Sequence, residues 1–243
     1  MDLILDIGNT RIKYATFKKG RLNHKGYCSD NELENVLMTL AGEVSRLLIS
    51  TVKPLTNSQE IELKKVCSKL SVLSSKLKMP FNNKYETPKT VGADRLALAA
   101  GGLLNSPNIP ILIIDIGTCM TFDFVSDEAD YLGGAISPGL QMRLKALHNF
   151  TGKLPLVTAK EPKDLIGRNT NDSILSGVIN GMQYEIDGII DAYKLRYPRV
   201  KTILTGGDST FFDKKLKNSI FADADILLKG MHFILEHNTD ENI

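Results

Sequence analysis

The chain has 243 residues, 42% of them hydrophobic and 24% charged. This is the composition of a globular protein with core enough for one or two domains, and it excludes a disordered, collagen-like or fibrous chain. Lys and Arg number 30 against 28 Asp and Glu, a formal charge of +2, so nothing in the balance points to nucleic acid or a membrane surface as partner.

Leu3-Ile4-Leu5 is a short apolar run ending in Asp6-Ile7-Gly8-Asn9-Thr10, which reads as a buried strand and a turn. Ile12–Phe17 alternates as a second strand, with Lys19-Gly20 as the hairpin turn after it. Asn31–Leu40 has helical spacing, Leu47–Ile49 reads as a strand, and Ile61–Leu70 is helical again. Ala93–Leu104 reads as a helix with Asp94 in its first turn. The break Ser106-Pro107-Asn108-Ile109-Pro110 divides two expected domains, 1–108 and 109–243. Ile111–Ile114 and Met120–Val125 read as strands. Asn171–Tyr193 is a long helix with apolar positions stepping by three and four. Thr202–Leu204 runs as a strand into the turn Thr205-Gly206-Gly207-Asp208, and Leu227–Leu235 closes with a helix. From Asn238 the polar sequence predicts a frayed tail.

No apolar run approaches the ~20 residues of a bilayer span, and Met-Asp-Leu-Ile-Leu-Asp has no basic region of a signal peptide. Cys28, Cys67 and Cys119 are odd in number and far apart, and the histidines are scattered. A reduced compartment, the cytoplasm, is expected, without a disulfide framework or a zinc site.

One feature of the chain repeats. Leu3–Thr10 reads Leu-Ile-Leu-Asp-Ile-Gly-Asn-Thr, and Leu112–Thr118 reads Leu-Ile-Ile-Asp-Ile-Gly-Thr, nearly half the chain away. Each copy precedes an expected second strand, so the fold class is α/β, a duplicated domain with sheets flanked by helices. Such a turn offers backbone N–H groups and a hydroxyl to phosphate oxygens, its Gly permits close approach, and the Asp at the strand end can hold a cation. Two such turns would hold a polyphosphate. Lys13 either adds a point charge for phosphate or is a solvated surface lysine. Walker, dinucleotide, protein-kinase and G-x-S-x-G motifs are absent.

The paired turns, with Thr205–Asp208 as an adenosine-side turn, resemble those of the actin/hexokinase/Hsp70-type ATPases, whose two domains have a ribonuclease-H-like fold. Within that superfamily the chain resembles a type III pantothenate kinase over nearly its whole length. Asp6 to Lys13 matches the first phosphate motif. Tyr85 with Gly92-Ala93-Asp94-Arg95 matches the substrate and catalytic signature, and Asp115–Thr118 with Thr121 and Asp123 the second phosphate motif. Gly133–Gly139, Leu154-Pro155 and Gly167–Thr170 follow in family order. Cys119 and Gly152 stand where the family often has Ala, and neither changes a charged or ligating group.

The resemblance implies ATP-dependent phosphorylation of pantothenate on its primary hydroxyl, the first step toward coenzyme A. It implies Asp94 as general base, and Asp6, Ile7, Gly8, Asn9, Thr10, Arg11, Ile12, Lys13 and Thr118 at ATP. Tyr85, Gly92, Ala93, Asp94, Arg95 and Thr170 would bind pantothenate, and Asp115 a monovalent cation, K⁺ or NH₄⁺. Mg²⁺ would accompany ATP, and the protein would be a homodimer. Each role has a plainer competitor. Asp94 is placed to favour a helix dipole, Thr170 to cap the long helix, and Tyr85 to be an ordinary half-buried aromatic. Two other functions compete: a sugar kinase of the same superfamily, and a catalytically idle nucleotide-binding regulator.

Overall fold

The computed structural model describes every residue except 9, 10, 52, 75 and 239–243. The chain divides into two units, Met1–Asn105 with the segment from Asp225 onward, and Ser106–Ala224.

In the first unit, β1 (Asp2–Ile7) buries every residue but its first. This apolar run is what a central strand covered on both faces requires. It pairs antiparallel with β2 (Ile12–Lys18) and parallel with β4 (Arg46–Thr51). β3 (Arg21–Cys28) continues the hairpin, and Lys19 and Gly20 both take positive φ at its turn. That backbone twist matches the strands it joins. β5 (Leu70–Val72) completes the order β3-β2-β1-β4-β5. Helix α1 (Leu33–Leu40) and α2 (Asn57–Val66) follow β3 and β4. Leu3, Leu5, Leu47, Ile49, Leu37 and Leu63 form the shared core. A two-residue strand, β6 (Asn82–Asn83), precedes α3 (Ala93–Asn105).

The second unit repeats this plan. β7 (Ile111–Ile116) pairs antiparallel with β8 (Cys119–Val125), which pairs with β9 (Asp130–Pro138). β10 (Lys201–Thr205) lies parallel to β7, and β11 (Phe221–Ala222) parallel to β10. Within this unit the order β9-β8-β7-β10-β11 repeats that of the first sheet. Even the register agrees: Asp6 lies opposite Ser50, and Asp115 opposite Thr205. Helix α4 (Leu140–Asn149) follows β9. Then α5 (Thr170–Leu175), a π-helical turn (Ser176–Asn180) and α6 (Gly181–Arg196) form the expected long helix. Its Ile174, Val178, Ile179, Met182, Ile186 and Ile190 pack on Leu112, Ile114 and Phe122 of the sheet.

Four expectations differ from what is seen. The second helix starts at Asn57, not Ile61, because Thr56 and Gln59 form a capping box, and Leu70 belongs to a strand. The expected division 1–108 and 109–243 differs at its far end, since α7 (Ile226–His237) packs on α3 and β1 of the first unit. Buried His232 on α7 stacks flat on Phe17 at 4.0 Å and lies 3.0 Å from Asp2, which also takes two hydrogen bonds from Arg46. Asn238 is buried, donating to the carbonyls of Ile234 and Lys78 and accepting from the Lys78 amide. The rest of the predicted tail lies outside the described residues. Finally, β5, β6, β9, α4 and β11 answer to no expected element.

Candidate functional site

In the first unit, the end of β1 carries Asp6 into a setting that is 9% exposed. Its register partners bring it company: Lys13 from β2, with Nζ 3.9 Å from Oδ2, and Ser50 from β4, which hydrogen-bonds the carboxylate. Burial pushes the Asp6 carboxyl above its ordinary range, against the pull of Lys13 and Ser50, and the charge of Asp94 pushes it further. Asp6 and Asp94 are therefore near enough to repel one another.

Asp94 sits in the first turn of α3. Its Oδ1 accepts from the Arg95 amide at 2.8 Å. This is the helix-terminal role set out above as the plainer reading, and it occupies one oxygen only. Oδ1 also lies against Gly92, where a Cβ would overlap it. Arg95 is 6% exposed, with its guanidinium 5.9 Å from the centre of the Tyr85 ring. Tyr85 is half-buried, and its amide donates to Asn83 Oδ1 at 3.0 Å. The structure thus brings Tyr85, Gly92, Asp94 and Arg95 together with Asp6 in one unit.

The other residues expected at ATP fall in different settings. Ile7 and Ile12 are buried in the core, so their side chains do not face a ligand. Arg11 is exposed and lies over the Tyr27 ring, 4.2 Å from its centre. Asn9 and Thr10 lie outside the described residues. The Gly8 N–H, expected to be open to phosphate, is turned back to the Arg11 carbonyl at 3.2 Å.

The second turn behaves alike. The Gly117 N–H goes to the Cys119 carbonyl at 2.9 Å, leaving Thr118 as the exposed residue of the turn. Asp115 lies opposite Thr205 of β10, and Gly206, with φ +99°, follows so closely that a Cβ there would overlap Asp115 Oδ1 and the Ile116 carbonyl. The Asp208 amide donates to that carbonyl at 3.0 Å, and burial raises the Asp208 carboxyl. The Thr205–Asp208 turn therefore packs directly on the Asp115 strand end. Asp123, fully buried, accepts from Tyr131 Oη and Thr121 Oγ1 at 2.7 and 3.1 Å. It is a structural pin of β8, not a ligand group. Thr170 is exposed, and the helix cap is its neighbour Asn169, whose side chain accepts from the Asp172 amide. The Thr170 hydroxyl is not spent on capping.

Sequence reasoning missed Ser50, which no motif marks. Its signal is positional: it ends an apolar run just as Asp6 does, and pairing of the two strands sets them side by side. It also missed the packing of Gly139 on the second turn. The Gly139 N–H donates to the Thr118 carbonyl at 3.2 Å, and a Cβ there would overlap the Gly117 and Thr118 carbonyls.

A metal that accompanies ATP fits this donor set. Mg²⁺ takes one or two protein carboxylates and fills its other positions with phosphate and water. Asp6 supplies such a carboxylate, buried and crowded by a second negative charge that a cation would relieve. Among the described residues no cluster of three or more His, Cys, Asp and Glu could hold a metal alone, and no helix is long and apolar enough to cross a membrane.

Comparison with known proteins bears on the fold and the family. A Baf family protein from Campylobacter jejuni superposes with TM-score 0.64 at 20% identity, over 97% of this chain and 98% of that one. A glucokinase from an Antarctic psychrotroph superposes with TM-score 0.51 at 13% identity, over 97% and 98%. These likenesses show a fold shared with sugar kinases. In sequence, the type III pantothenate kinase of Christiangramia forsetii is 45% identical over 98% of this chain and 99% of its own. That of Flavobacterium johnsoniae is 41% identical over 100% of both. The sequence model of type III pantothenate kinases matches residues 2–192. The chain belongs to the type III pantothenate kinase family and is a kinase.

Proposed function

We propose that this protein transfers the γ-phosphoryl group of ATP to the primary hydroxyl of pantothenate, the entry step of coenzyme A synthesis, with Asp94 as general base. The observation that carries the reading is the grouping of Asp6, Asp94, Arg95 and Tyr85 in one unit, in a chain whose full-length relatives are type III pantothenate kinases.

The chemistry follows from these groups. A carboxylate is far too weak a base to deprotonate an alcohol in advance. Phosphoryl transfer passes through a loose transition state, so the proton leaves late. Asp94 therefore orients the hydroxyl for in-line attack and accepts its proton as the new P–O bond forms and the bond to ADP breaks. With Oδ1 held by the Arg95 amide, Oδ2 is the oxygen for that proton. Arg95 pairs with the pantothenate carboxylate through its guanidinium fork, and Tyr85 lies against the pantoyl chain. Asp6 would hold the Mg²⁺ that accompanies ATP, and the cation would supply neutralisation of phosphate charge. Lys13 and Thr118 contact phosphate. Because the glycine amides of both turns are internally bonded, other donors must carry phosphate recognition. Asp115 would supply a carboxylate for the monovalent cation, and Thr170 adds a hydroxyl for pantothenate. The protein works as a homodimer.

Product analysis tests the substrate. Incubated with ATP and Mg²⁺, the protein should yield a phosphate monoester of pantothenate by mass spectrometry, and no product from glucose or glycerol in its place. Phosphorylation of a sugar with pantothenate untouched would favour the sugar-kinase reading instead.

A further inference from the structure

We infer that Arg143 is a positioning residue for the Thr118 turn, acting through the end of β9. Arg143 lies in the first half of α4. Its Nε donates to the Pro138 carbonyl at 2.8 Å, and Nη2 donates to Ser137 Oγ at 2.9 Å and to Glu185 Oε2 of α6 at 2.5 Å. The two charged side chains are only 22% and 27% exposed, so the pair is partly shielded from water.

What this clamp holds is the wall behind the turn. Pro138 lies opposite Cys119 in the β8–β9 ladder. The next residue, Gly139, donates its N–H to the Thr118 carbonyl at 3.2 Å and leaves no room for a Cβ against the Gly117 and Thr118 carbonyls. A shift of residues 137–139 cannot be absorbed at that contact and passes straight to Thr118. Arg143 fixes 137–139 from one side, and Glu185 fixes Arg143. The fork geometry matters: one guanidinium reaches a carbonyl, a hydroxyl and a carboxylate at once, which a lysine ammonium on a flexible stem does not do.

The inference rests on Thr118 contacting ATP, so the test includes that residue. Steady-state kinetics are measured for the wild type, Thr118→Ala, Arg143→Ala and Arg143→Lys, with melting temperatures alongside. The expected result is a rise of about tenfold or more in KM for ATP in both Arg143 variants, since displaced contact geometry is costly. KM for pantothenate should stay within about twofold in both. Arg143→Lys, which keeps the charge, should not restore ATP binding. If Arg143→Ala does not fold, Arg143→Lys alone decides the matter. Arg143 variants with wild-type KM for ATP beside an impaired Thr118→Ala overturn the inference and leave the ATP contact standing. An unimpaired Thr118→Ala overturns both. Equal increases in both KM values, tracking a lost melting temperature, show a merely structural ion pair and also overturn it.

Discussion

At the scale of single residues, Asp6 is a carboxylate whose folded setting disfavours its charge. Burial and the charge of Asp94 hold its carboxyl above the ordinary value of 3.8, more than Lys13 and Ser50 hold it down. The unfolded chain therefore gives up this proton first. The stability tied to the neutral form is fully present below the unfolded value and is lost as pH rises through the folded one. At neutral pH the ionised Asp6 is a burden that a bound cation would relieve. Asp6→Asn removes the burden and keeps an acceptor for Ser50. We expect a melting temperature at pH 7–8 no lower than that of the wild type, converging with it as the pH approaches 4, together with loss of turnover. Thermal melts across that pH range check the sign. A variant markedly less stable at neutral pH would show that Asp6 is held mainly by its attraction to Lys13.

The helices and strands were legible in proportion to how local their causes are. β1 and β7 stand out because an apolar run ends at Asp-Ile-Gly, and that pattern needs no partner to be seen. The start of α2 depended on reading Thr56 and Gln59 as a reciprocal cap ahead of any apolar residue. α4 carries Arg, Lys and His among only two buried leucines, too thin a stripe to show periodicity. The partner of α7 was beyond reach: periodicity says which face is apolar, not what covers it. The structure supplies the answer in glycine. Gly230 of α7 lies against Ala97 of α3, and Gly101 of α3 against Ile226 of α7, each so near that a Cβ would overlap a carbonyl oxygen. Gly230→Ala should therefore cost about 1–3 kcal/mol despite its better helix propensity. Urea unfolding measures this, and a stabilised variant would contradict the close helix contact.

Across the whole molecule, the duplication seen in two short phrases extends to the order of five strands in each unit and to the register of the Asp-bearing strands. The site was only partly visible in that repeat. Asp6, Asp94 and Arg95 were named as candidates through the family resemblance of their motifs, and the structure sets them near one another. The hydrogen-bond state of the turns could not be named from sequence, because the Gly8 and Gly117 amides are committed by backbone closure. Of the two clustered carboxylates, we propose that Asp94 serves the transfer and not the binding of ATP. The most direct measurement is pantothenate-dependent ADP release by wild type and Asp94→Asn, in ATP, Mg²⁺ and K⁺ with a Na⁺ control, beside calorimetric titration of each with ATP. The account predicts release by the wild type that requires pantothenate and K⁺. It predicts a fall of roughly 10²–10⁴-fold in turnover for Asp94→Asn, with ATP affinity little changed. Undiminished turnover in Asp94→Asn, or ADP release indifferent to pantothenate, would contradict it.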